Sequence, residues 1–214
     1  MDLIPNTPRT TLRRIPQNAV YERSAIDAIL DEGLICHVGF VLDNKPVVIP
    51  TSFARAKDHL YIHGSAASRM LLTLGSGVDV CVTVTLLDGI VFARSAFNHS
   101  MNYRSVVIFG TASVVDDAGE KLEALRLFAE HIVPGRWQEL RAPKPLELKA
   151  TLVLRLPIEE ASAKVRTGPP EDAADDMNAP VWAGVMPLAL RKGELIEDSN
   201  GIQVPDYLRE DPRF

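Results

Sequence analysis

Apolar residues recur along this chain with two different periods. Residues 34–42, 46–54 and 59–63 are short apolar runs separated by the turn formers Asp43-Asn44-Lys45 and Lys57-Asp58, a pattern that predicts three strands joined by tight hairpins. Residues 78–86 alternate cleanly, with Val78, Val80, Val82, Val84 and Leu86 against Asp79, Cys81, Thr83 and Thr85, which predicts a strand with one face in a core. Asp88-Gly89 is a hairpin signal, residues 90–97 continue the sheet, and 98–102 form a polar break. Long strands are expected over 103–115 and 146–158, the latter the last of them. Two segments carry the helical period. Residues 24–32 have Ser24 as N-cap, Asp27 as a capping-box acid, an apolar face of Ile26, Ile29 and Leu30, and a stop at Gly33. Residues 120–132 place Leu122, Leu125, Phe128, Ala129 and Ile132 on one face and end at Pro134-Gly135. Six or seven antiparallel strands with helices at the connections describe a mainly β protein, a closed barrel whose valine-rich interior is a packed core. A ligand would then lie on its outer surface or between subunits.

The flanks differ from this pattern. Residues 1–20 hold prolines and arginines without periodicity and read as a surface arm, 21–190 as the barrel domain, and 191–214 as a polar tail. Within the domain, the proline- and acid-rich stretch 167–180 reads as a mobile loop, and 181–188 is apolar again. The chain has 214 residues and a net charge of −5 with no basic block, which argues against nucleic acid as a partner. No segment has the length and apolarity of a membrane span or a signal peptide, so a cytoplasmic protein is expected. Cys36 and Cys81, the two cysteines, fall in strand-like runs and read as free thiols. The five histidines show no metal-ligand spacing, so no metal site is expected. Glycine-rich nucleotide loops and the Gly-x-Ser-x-Gly elbow are absent.

Three stretches carry chemistry. In Tyr61-Ile62-His63-Gly64-Ser65-Ala66-Ala67-Ser68-Arg69 a strand, with Leu60 and Ile62 on one face and Tyr61 and His63 on the other, turns into a helix capped by Ser65 that stops near Gly75. Two hydroxyls and the Arg69 guanidinium at such a turn can hold a phosphate, although an ordinary serine-capped turn with a solvated arginine has the same sequence. The strand Val47-Val48-Ile49-Pro50-Thr51-Ser52 contains a proline that interrupts the ladder, so it is an edge, either plain or facing a flat heterocycle. The third stretch, 98–107, sets Asn, His, Tyr, Arg and Ser at the entry to a core strand. It is either a site or a loop closed by an Arg104 salt bridge.

Ile49-Pro50, the Tyr61–Arg69 turn and Tyr103-Arg104-Ser105-Val106-Val107-Ile108-Phe109-Gly110 together resemble the FMN-binding split-barrel family. Within it they resemble the pyridoxamine 5′-phosphate oxidase-related branch that includes the nitroimidazole-resistance proteins. The resemblance covers roughly residues 10–190 and implies a six-stranded antiparallel split barrel, homodimeric, with FMN between subunits. By that likeness Val48, Ile49, Pro50 and Thr51 line the flavin ring through their backbone. His63, Gly64, Ser65, Ser68 and Arg69 hold the phosphate end, and Tyr103, Arg104 and Ser105 lie beside the cofactor. Lys164 contributes and Trp182 covers the ring. The implied function is an oxidoreductase that passes electrons from reduced flavin to a small planar acceptor, with His63 as proton donor or substrate contact. A non-catalytic flavin carrier or a haem-binding split barrel is the alternative. Met70 stands where the true oxidases carry a second basic residue, so pyridoxamine phosphate is not the implied substrate.

Overall fold

The computed structural model describes residues 2–191, 193–198 and 201–209. In chain order the strands are β1 (Ala19–Val20), β2 (Ile35–Leu42), β3 (Lys45–Ser52), β4 (Ala54–Ala56), β5 (His59–Ser65), β6 (Asp79–Phe92), β7 (Ser100–Thr111), β8 (Ser113–Val114), β9 (Thr151–Pro157), β10 (Glu160–Arg166) and β11 (Gly184–Pro187). The α-helices are α1 (Arg23–Glu32), α2 (Arg69–Gly75), α3 (Ala118–Ile132) and α4 (Pro145–Ala150). One sheet runs β1-β10-β7-β6-β2-β3, with β11 paired to β6, and the other runs β4-β5-β9-β8. All pairings are antiparallel. The chain crosses between the sheets at Phe53, which is fully buried, and at Ala112. The core between them takes Val38 and Phe40 from β2, Val80, Val82 and Val84 from β6, Val106 and Ile108 from β7, and Leu60, Ile62, Leu154 and Leu156 from the smaller sheet. The alternation at 78–86 is thus borne out. Asp43 and Asn44 both have positive φ, 51° and 59°, the twist that a two-residue hairpin needs.

Several local expectations are corrected. Asp88-Gly89 is not a hairpin. β6 runs straight through it for 14 residues, and the register slips between Leu87 and Gly89. Glycine is needed there because a Cβ at Gly89 would stand 3.0 Å from the Met186 carbonyl oxygen and 3.2 Å from Val185 Cγ1, in the strand paired alongside. Residues 145–150 are helix rather than strand: Pro145 sits in the first turn and the Glu147 carboxylate accepts the Lys144 backbone N–H at 2.8 Å. The strand at 151–157 is not the last, since β10 and β11 follow. Helix α1 begins one residue early, with Glu22 at the N-cap, and Asp27 pairs with Arg23 instead of closing a capping box. The buried line of α3 is Ala124 and Phe128; Leu122 and Ile132 are 40% and 46% exposed.

That rotation of α3 has a polar cause. Asp117 caps the helix by accepting the Glu120 N–H at 2.7 Å, and the Glu120 carboxylate accepts from Tyr61 Oη at 2.9 Å and from Arg155 Nη1 at 3.1 Å. Glu120, Ala124 and Phe128 share a face at helical spacing, so anchoring Glu120 turns the other two onto β5. Burial, and then the Glu120 partner, push the Tyr61 hydroxyl up to about 12. At the other end of the chain, Ile4 is buried in the main core and Arg9 lies 4.9 Å over the Phe109 ring while pairing with Glu160. Among the described residues no helix is long and apolar enough to cross a membrane.

Tyr61→Phe removes one hydrogen bond to a carboxylate that keeps Arg155. The expected cost is about 1 kcal/mol, a fall of roughly 2–4 °C in the thermal midpoint of a chain of this size. An unchanged midpoint would mean that the Tyr61 hydroxyl takes no part in anchoring Glu120.

Candidate functional site

β5 is covered on both faces. Leu60 and Ile62 enter the main core, while Tyr61 packs with Val153, Ala124 and Phe128 under α3. His63, on the Tyr61 side, is half-buried with its ring 4.0 Å from that of Phe128 at an interplanar angle of 52°. Its Nδ1 is buried and has no hydrogen-bond partner among the described residues. Burial lowers the His63 pKa below the ordinary imidazole value, which keeps the ring neutral at pH 7.

Beyond His63, β5 continues to Ser65 and pairs with Thr151, so Ser65 is still strand and does not cap the helix. Its Oγ accepts the Ala67 N–H at 3.2 Å, and the cap passes to Ser68, whose Oγ accepts from Leu71 N at 3.4 Å. Arg69 opens α2, is exposed, and makes no ion pair among the described residues. The turn therefore sets two hydroxyls and one free guanidinium together, a donor set suited to a phosphate.

The other candidates fall in three places. β3 is an edge strand, as expected from Pro50, and Pro50 pairs with His37. Ile49 packs against the core, and Thr51 alternates with it on the same side. Val48 and Pro50 point outward, with Val48 65% exposed. On the same outer face, β7 and β10 present Tyr103, Ser105 and Lys164, and Ser105 Oγ donates to the Lys164 carbonyl at 3.4 Å. Arg104 points the other way. It donates to Asp88 at 2.9 and 2.7 Å and to Glu32 at 2.8 Å, and those carboxylates, Asp88 first, raise its pKa. Trp182 stands apart, 5.8 Å from the Phe92 ring. No hydrogen bond, ion pair or ring contact among the described residues joins the 63–69 turn to Tyr103, Ser105, Lys164 or Trp182. Phe128, Glu32 and Asp88 were not anticipated as neighbours of site residues. The period of α3 could have pointed to Phe128, whereas Asp88 read as a turn. No group of three or more His, Cys, Asp or Glu among the described residues could hold a metal ion.

Residues 22–165 match the family model described as pyridoxamine 5′-phosphate oxidase. The chain belongs to that family. The split-barrel expectation is met by its mainly β, antiparallel architecture. Of solved structures, it is 40% identical to the flavocytochrome Anf3 from Azotobacter vinelandii, over 95% of this chain and 96% of that one, with a TM-score of 0.89. It is 38% identical to an FAD and haem binding protein from Mycobacterium smegmatis, over 90% and 96%, with a TM-score of 0.86. A candidate 5-nitroimidazole antibiotic resistance protein from Bacteroides thetaiotaomicron shares the fold, at 22% identity over 69% and 86%, with a TM-score of 0.57. No curated protein matches the chain.

His63 links the site to pH. Its folded pKa lies below its unfolded one, so between the two values the unfolded chain binds the extra proton. The stabilisation is complete above the ordinary imidazole pKa and is lost as pH falls toward the lowered value. The thermal midpoint should therefore fall as the pH is taken down through and below the ordinary imidazole pKa, and His63→Leu should flatten that slope. Parallel curves for the two proteins would show that His63 is not the group responsible.

Proposed function

We propose that this protein carries a flavin and a haem and passes electrons between them and a small acceptor. The observation that supports this most is the extent of the likeness to the flavocytochrome, 95% of the chain at 40% identity, well beyond the 22–165 segment of the family model. A relative named for both FAD and haem, at 38% identity, points the same way. The flavin is read as FAD. FAD contains the FMN moiety, so the phosphate-binding turn serves either cofactor. Bound flavin supplies two-electron chemistry and haem one-electron chemistry, and the protein binds and orients them.

Each part of the site has a role in this reading. Ser65, Ser68 and Arg69 bind the flavin phosphate, and Gly64 lets the chain approach it. Val48 to Thr51 orient the ring from the free edge of β3. His63 offers a neutral imidazole, the form that ligates iron, held by Phe128 and without a protein partner on Nδ1. The outer face of the large sheet exposes Ile35, Val41 and Val48 and is read as the surface on which two copies meet. Tyr103, Ser105 and Lys164 of one copy would then face the cofactor of the other, and Trp182 would cover the ring. Arg104 is assigned elsewhere, since both of its partners are carboxylates.

Absorption spectra of purified variants test the assignment. Arg69→Ala should weaken flavin binding by roughly 10- to 150-fold, the equivalent of a charge-assisted hydrogen-bonded contact of about 1.5–3 kcal/mol. His63→Ala should abolish the Soret band and keep the flavin bands. A Soret band that survives His63→Ala removes the ligand role and returns His63 to proton transfer. A wild-type protein that never shows a Soret band removes the haem.

A further inference from the structure

At the end of the barrel a groove of about 660 Å³ lies between the C-terminus of α1, the bulge in β6 and the segment that follows β11. None of the roles above uses it. Leu34, Leu86 and Leu87 line it from the barrel, and Leu188 and Leu190 line it from the segment after β11. That segment is tied down where it begins, because Leu188 N donates to the Asp88 carbonyl at 3.0 Å. Leu87 and Leu190 are 45% and 74% exposed, so part of the leucine wall faces solvent.

The floor is polar and unevenly charged. Arg104 directs its N–H groups at Asp88 and Glu32 through four hydrogen bonds. A guanidinium has five N–H groups, so its donors are almost all used. Two carboxylates against one guanidinium leave the floor with one negative charge, and no other charged side chain lines the groove among the described residues. Each carboxylate can accept about four hydrogen bonds, so free acceptors remain, and Glu32 is half-exposed. A ligand for this slot therefore has an apolar body for the leucines and a positively charged N–H donor for the carboxylates. Phosphates, fatty carboxylates and haem propionates meet the wrong charge.

We propose that this groove is a binding site for a protonated amphiphilic amine, with its ammonium against Glu32 and Asp88 and its hydrocarbon between the leucines. The site is separate from the flavin turn and stands or falls independently of the flavin and haem reading.

Isothermal titration of the full-length protein, with whatever cofactors it retains, tests the proposal with two probes of equal length and opposite charge, octylammonium and octanoate. Octylammonium should bind saturably and more weakly as salt is raised, and octanoate should not bind. Glu32→Gln should weaken octylammonium by about two- to fivefold, as for a partly exposed ion pair. Leu190→Ser should weaken it by about tenfold through lost apolar contact. Both positions are exposed enough to leave the fold intact, which an unchanged thermal midpoint verifies. Equal binding of the two probes, no binding of octylammonium at millimolar concentration, or octylammonium binding indifferent to both substitutions overturns the proposal.

Discussion

Phe128 pressed against His63 on the outer side of β5 is the contact on which the site depends. A barrel strand in water ordinarily alternates, apolar inside and polar outside. In β5 the outer positions, Tyr61 and His63, are roofed by α3, while Leu60 and Ile62 are sealed in the main core. Burying each of those aliphatic side chains is worth roughly 1.5–3 kcal/mol, so the register of β5 is strongly set and His63 is carried to a fixed place. The roof that completes the packing also strips water from the imidazole. A neutral, unpartnered nitrogen at His63 is thus a product of the layer architecture, and the candidate phosphate turn begins at the next residue.

The large sheet shows the opposite economy of cover. Its inner face is apolar and rich in valine, with Cys36, Phe40, Ala161 and Ala163 among the valines and isoleucines, whereas its outer face leaves Ile35, Val41 and Val48 exposed and also carries polar Ser105 and Lys164. The N-terminal arm covers only one end, where Arg9 reaches Glu160, Asp79 and the Phe109 ring. The open end of the barrel is closed differently, by Arg104 between two carboxylates, one of them delivered by the β6 bulge. Ion pairs that are partly exposed add little stability. Their effect here is to hold Arg104 at the end of the barrel, whereas Arg69 makes no ion pair among the described residues.

Short-range features were legible in the sequence. Period-two alternation at Val78–Leu86 and the Asp43-Asn44 turn depend on neighbours a few residues apart, and both took the form expected. The 63–69 segment was legible for the same reason, although pairing of Ser65 with Thr151 carried the strand two residues further and moved the cap to Ser68. Long-range features were not. Asp88-Gly89 has the composition of a hairpin turn, and only the arrival of β11 alongside makes the glycine a bulge. β10 carries no strand signal because Ala161, Ser162 and Ala163 lack the branched side chains that mark strands, yet all three are buried. The face of α3 was set by a carboxylate, Glu120, that an apolar pattern does not weigh. Arg104 likewise finds Glu32 across 72 residues of chain, and the tyrosine and serine beside it alternate to the other side of the sheet.

We propose that this family fold holds a pair of cofactors around β5 and β3. Native mass spectrometry of the purified protein tests that most directly, because it weighs chain and cofactors together. The expected species is two chains carrying one FAD and one haem per chain. A bare chain, or a species whose added mass corresponds to FMN without haem, would contradict it.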